Sequence, residues 1–158
     1  MKLLIGLGNP GEKYKNNRHN AGYLFVDFIS GYQMPDIRYQ KIDTFMNDSG
    51  RFVKKITSHY NLEPSNLYIV HDDLDLPLGQ YKIQLGVGPK VHYGVNSIEN
   101  ALGTNDFWRI RVGVDSRSPA GQRETGENYV LQDFTKDEME ILKGVYAKIR
   151  DDLAKKQD

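Results

Sequence analysis

Three short apolar runs, residues 2–7 (KLLIGL), 67–70 (LYIV) and 108–114 (WRIRVGV), are separated by stretches whose apolar residues recur at helical spacing. Ala21, Leu24, Phe25, Phe28 and Ile29 share one helical face, with Asn20 placed to cap it. Met46, Val53, Ile56 and Tyr60 mark a second helix starting near Asn47, and Val95, Ile98 and Leu102 a third that Gly103 stops. Strands that alternate with helices have few solutions: they lie side by side, largely parallel, with the helices crossing over the faces of the sheet. A weaker strand is predicted over residues 36–42, and the strand at 67–70 is expected to end at His71-Asp72. The turn DLPLG at 75–79 leads into Tyr81, Ile83 and Leu85 alternating with Gln80, Lys82 and Gln84; so short a turn predicts an antiparallel neighbour and a mixed sheet. TKDE at 135–138 has the capping-box form and opens a last amphipathic helix striped by Met139, Leu142, Tyr146, Ile149 and Leu153. The expected fold is α/β: a single domain over residues 1–158, built as a three-layer sandwich around a mixed, mostly parallel sheet.

Several function classes fall away on composition. No Cys is present, which removes disulfides, thiol nucleophiles and cysteine zinc sites, and the four His residues show no metal-ligand spacing; no metal and no cofactor is expected. No apolar run reaches the length of a membrane span, and the first residues enter a strand directly, so a cytosolic protein is expected, with a monomer as the default. The net charge is zero, but residues 1–61 and the segment 80–123 carry more Lys and Arg than Asp and Glu, which leaves room for a local basic face.

Gly6, Gly8 and Gly11 have the spacing G-x-G-x-x-G behind a strand. A dinucleotide site also needs a helix starting at the second glycine and an acidic ribose ligand after the next strand. Pro10 and the polar stretch to Asn20 delay the helix, and the second strand offers only Asp43. The glycines are therefore read as shaping a long loop. That loop carries Asn9, Tyr14, Arg18, His19 and Asn20 at the carboxyl end of the first strand, while Asn47 and Asp72 follow the ends of two others, all on the rim where open α/β sheets bind ligands. An imidazole oriented by a carboxylate, with amides beside it, is a kit for hydrolysis by activated water. With no Cys and no serine elbow, direct water attack is favoured over an acyl-enzyme.

GLGNPGEKYKNNRHNAG, TFMNDSG at 44–50 and HDDLDLPLG at 71–79, in this order, resemble the signature of bacterial-type peptidyl-tRNA hydrolases, and the similarity extends to DFWRIRVGV and YVLQDF. The resemblance implies cleavage of the ester between a peptide and the 3' ribose of tRNA, recycling tRNA from stalled translation without metal or cofactor. It implies His19 as catalytic base and Asp72 as the carboxylate that orients it, with Asn9 and Asn47 contacting the peptide and Tyr14 and Phe45 lining the cleft. The tRNA 5' phosphate would be held at Arg111 together with a Lys; the matching position here is Gln84, with Lys82 two residues earlier. Alternation puts Arg109 and Arg111 on one strand face, so Lys82, Arg109 and Arg111 are expected to form a small basic patch beside the rim.

The chain departs from the family pattern in two places. A glycine-rich loop that typically ends His-Asn-Gly reads His92-Tyr93-Gly94 here, so Tyr93 takes the place of a substrate-binding amide; it could stack on a terminal base instead. The segment before TFMN has room for one strand only, so a sheet trimmed at one edge is expected. The rival readings are an RNA-binding relative of the same fold that is catalytically weak or inactive, and, less favoured, a nucleotide-dependent oxidoreductase.

Overall fold

The computed structural model describes residues 1–117 and 124–155, so the middle of the Gly/Ser/Pro/Arg-rich loop that follows the WRIRVGV run lies outside the described residues. One sheet holds β1 (Lys2–Gly6), β2 (Ile37–Lys41), β3 (Leu67–Pro77), β4 (Tyr81–Leu85) and β5 (Trp108–Asp115) in the order β2-β1-β3-β5-β4. All neighbours are parallel except β4, which runs antiparallel to β5. The helices are α1 (Ala21–Ile29), α2 (Ser49–His59), α3 (Tyr93–Leu102), α4 (Gly126–Val130) and α5 (Lys136–Lys155).

Alternation along the strands sorts the apolar side chains into two cores. Leu3, Ile5, Leu67 and Ile69 pack with Val53 of α2 and with Val95 and Ile98 of α3. Leu4, Tyr68, Val70, Ile110 and Val112 pack on the other face with Phe25 and Ile29 of α1 and with Leu142, Tyr146 and Ile149 of α5. Helices thus cover both faces, which gives the three layers. The capping box forms as predicted: Thr135 Oγ1 accepts from Glu138 N–H, and a Glu138 carboxylate oxygen accepts from Thr135 N–H. Between α1 and α2 the chain forms one strand, β2, at the edge of the sheet, followed by a 3-10 turn over Met46–Asp48.

Two expectations are corrected. β3 does not end at His71 but runs on to Pro77, because β5 pairs with it that far and because Asp72 and Asp73 find buried partners. β3 and β4 are not neighbours either: β5 lies between them. The linking turn steps over the end of β5, Leu78 N–H donating to the Asp115 carbonyl and Gly113 N–H to that of Gln80. The four chain steps from Pro77 to Tyr81 reach about 13 Å, enough to pass one intervening strand at about 4.8 Å per step.

The glycine spacing has a packing role. A Cβ on Gly6 would stand 2.4 Å from the Gly22 carbonyl oxygen, and one on Gly22 would stand 2.3 Å from that of Val70, so α1 crosses β1 in near backbone contact. Gly11, at φ 112°, makes a turn, and α1 begins only at Ala21, too late for a dinucleotide site. Gly22→Ala is therefore expected to destabilise the fold by about 2–3 kcal/mol through backbone overlap that no rotamer relieves; a urea denaturation midpoint measures it.

Candidate active site

Three segments converge at the carboxyl end of β1 and within β3. His19 sits in a short 3-10 turn (Arg18–Asn20) just before α1, Asp72 lies on β3, and His92 precedes α3. His19 Nδ1 is 2.8 Å from Asp72 Oδ2, and His92 Nε2 is 2.8 Å from Asp72 Oδ1. Asp72 is only 2% exposed. Burial alone would push its carboxyl up, but His19 and then His92, each bonded to one oxygen, hold it far below the usual carboxylate range.

The hydrogen bonds set the tautomers. His92 Nδ1 accepts from Val95 N–H as it caps α3, so Nε2 carries the hydrogen that goes to Asp72. An ionised Asp72 can only accept, so His19 donates from Nδ1 and keeps the Nε2 lone pair as a base. Burial lowers the His19 pKa, but the facing Asp72 charge and its hydrogen bond outweigh this, and the net shift is upward. The same three residues bring ligand-type atoms within 4.8 Å of one another. They do not suit a metal, because His92 Nε2 could offer a lone pair only by placing a hydrogen on Nδ1, against Val95 N–H. Behind them His71 is fully buried; burial, with the His92 ring beside it, pushes its imidazole down to about 3, and its Nδ1–H donates to the Asp72 carbonyl.

These groups open into a cleft of about 670 Å³. Asn9 lines it with its amide fixed: Oδ1 accepts from Met46 N–H, which leaves Nδ2 as a donor. Asn20 takes the N-cap position of α1 as expected, but its side chain makes no bond to the helix; its amide clasps the Asn9 backbone, donating to the carbonyl and accepting from the N–H. Phe45, Asn47, Leu74, Val91, Val130 and Leu131 supply further lining. Tyr14 does not line the cleft; it stands behind Phe45, with ring centroids 6.3 Å apart and edge-on. Tyr93 lines the lip, and its hydroxyl donates to Glu127 of α4 at 2.9 Å.

The open basic patch is corrected. Arg109 is 1% exposed: it pairs with Glu99 and donates to the carbonyls of Gly88, Asn105 and Phe107. Arg111 is buried too, bonded to Asp73 through Nε and to Gln84 through Nη1, with Gly88 lying against its guanidinium. Only Lys82, opposite Arg111 on the edge strand, is exposed. The arginines share a face as expected, but α3 and the loop before it cover that face. The reading of the sequence also missed His92, although its place three residues before Val95 at the start of a helical stripe was a capping signal. It missed the inward role of Arg18, whose guanidinium meets Glu138 of α5 at 2.8 Å and lies over the Tyr129 ring.

A mostly parallel α/β sheet with a carboxylate-held imidazole opening into an apolar cleft is the arrangement of a hydrolase. Comparison narrows the class to a family. The peptidyl-tRNA hydrolase family model matches residues 3–156, and the chain belongs to that family. It is 37% identical to the peptidyl-tRNA hydrolase of Mycoplasmopsis agalactiae, with 96% of this chain and 86% of that protein covered, and 39% identical to that of Geobacter sp. (strain M21), with 89% and 83% covered. The crystal structure of peptidyl-tRNA hydrolase from Acinetobacter baumannii superposes with a TM-score of 0.80 at 28% identity, covering 93% of this chain and 83% of that one.

The His19 ring is expected to titrate above 6.5, and Asp72→Asn to bring it below that value, since burial then acts without the opposing charge. Ring-nitrogen NMR shifts followed against pH check both.

Proposed function

We propose that this chain hydrolyses the ester joining a peptide to the 3' ribose of tRNA, as one domain over residues 1–158, with His19 as base and Asp72 as the group that orients it. The observation that carries this reading is the 2.8 Å contact of His19 Nδ1 with Asp72 Oδ2 at the floor of the cleft. Asp72 holds the hydrogen on Nδ1, so Nε2 removes a proton from water as the water oxygen bonds to the ester carbonyl carbon. The tetrahedral oxyanion takes hydrogen bonds from the Asn9 Nδ2 and Asn47 amides. Collapse breaks the bond from carbon to the ribose oxygen, and the imidazolium returns its proton to that leaving oxygen. An ester is reactive enough for a base titrating near neutrality, and the apolar lining strengthens the charges at work.

The protein grips tRNA through phosphates as well as through its acceptor end. Lys82 is an exposed cation on the edge strand beside β5, while Arg111 is held within the protein by Asp73 and Gln84. Arg109 is a tie within the protein in this reading, with no role at the phosphate.

His19→Ala is expected to remove single-turnover hydrolysis of N-blocked aminoacyl-tRNA while leaving the circular dichroism spectrum unchanged, and Asp72→Asn to keep a residue of activity, down by roughly 10²- to 10⁴-fold. Full turnover by folded His19→Ala protein would remove the assignment; tRNA binding by an intact chain that never hydrolyses would favour the inactive relative. In a salt titration of tRNA affinity, Lys82→Ala is expected to lower the log–log slope by about one. Arg109→Met leaves that slope unchanged and lowers the melting temperature.

A further inference from the structure

The cleft continues into a second, shallower groove along the exposed side of α3. Asn47 and Tyr93 line both; Asn96, Ser97, Asn100 and Ala101 line the groove alone. Asn96 and Asn100 are one helical turn apart, so their amides stack along the same face, with Asn47 opposite from the turn before α2. The floor is rigid: Ser97 Oγ donates to the Asn47 carbonyl and accepts from Gly50 N–H, which ties α3 to the start of α2. Among the described residues the side chains of Asn47, Asn96 and Asn100 are exposed and make no hydrogen bond to the protein. Asn is a poor helix former, and two of them on the outer face of a ten-residue helix return nothing to the fold.

Resting on the proposed hydrolysis, we infer that this groove receives the unpaired nucleotides that precede the terminal ribose of the substrate, with Asn96 and Asn100 reading base edges and Tyr93 offering a stacking face. Carboxamides pair donor and acceptor with a base edge, and an exposed aromatic ring stacks on an unpaired base. The groove lining has no Lys or Arg, so it suits bases, with the phosphates left to solvent and to Lys82. Its length agrees: from Tyr93 to Asn100 α3 rises about 10 Å, the span of roughly three stacked nucleotides. Continuity through Asn47 and Tyr93 delivers the end of such a strand to His19.

The test compares two esters of one N-acetylated amino acid, carried either on the 3' ribose of adenosine alone or on the same adenosine ending a single-stranded trinucleotide. The unaltered protein is expected to show the lower KM for the trinucleotide ester. The double variant Asn96→Ala, Asn100→Ala is expected to raise that KM about tenfold, the scale of a lost amide–base pairing. Its kcat and KM on the adenosine ester stay unchanged, a split that general loosening of α3 would not produce. Equal KM values for the two esters in the unaltered protein, or an unchanged KM ratio in the double variant, overturns the groove. Inactivity on both esters overturns the catalytic reading instead. The groove is then decided by fluorescence anisotropy with the unacylated trinucleotide, whose Kd must rise in the double variant for the inference to stand.

Discussion

A buried carboxylate that faces two imidazoles is the constraint around which this molecule is arranged. Asp72 is held away from water in the middle of β3, where an unpaired charge would cost several kcal/mol. Its two oxygens are engaged by residues from different parts of the chain, His19 from the first connecting loop and His92 from the start of α3. Each contact is therefore both electrostatic compensation and a tie between segments. The site and the local fold stand or fall together: the pairing that keeps Asp72 ionised also fixes which nitrogen of His19 carries the hydrogen and which keeps its lone pair.

Further ties hold the segments that carry these imidazoles. Arg18, next to His19, reaches Glu138 on α5, whose carboxylate also accepts from Thr135 N–H and Ser116 Oγ. Arg109 gathers the carbonyls of Gly88, Asn105 and Phe107 and meets Glu99 on α3, so the loop that delivers His92 rests on a guanidinium fixed in the sheet. Asn20 clasps Asn9, and Asn9 in turn accepts from Met46 N–H. Arg109, Asn9 and Asn20 are thus bonded to backbone groups of neighbouring loops, an arrangement that stiffens the wall of the cleft.

The cleft itself combines few polar groups with an apolar lining. Phe45, Val91 and Leu131 are half or more exposed, yet all line the one cavity, together with Leu74 and Val130. Exposed apolar residues gathered in one cavity form a surface suited to binding. Tyr93 reaches across the lip to Glu127, so it shapes the mouth of the cleft and stands apart from the His19–Asp72–His92 bonds.

Much of the architecture was legible along the chain, because periodicity and capping are local. The helical stripes, the Gly103 stop, the Thr135–Glu138 box and the run of strands all follow from neighbours a few residues apart, and the motifs around Asn9, His19, Asn47 and Asp72 marked the rim. What tertiary structure decided is non-local. Strand order depends on pairing between distant segments, and a short turn that permits adjacency does not enforce it, so β5 could enter between β3 and β4. Alternation tells which side chains share a face but not what covers that face. Lys82, on an edge strand, stays in solvent while Arg109 and Arg111, on an inner strand under α3 and its preceding loop, become internal ties. The same limit hid His92, whose partner lies twenty residues away in sequence and meets it only when the sheet is assembled.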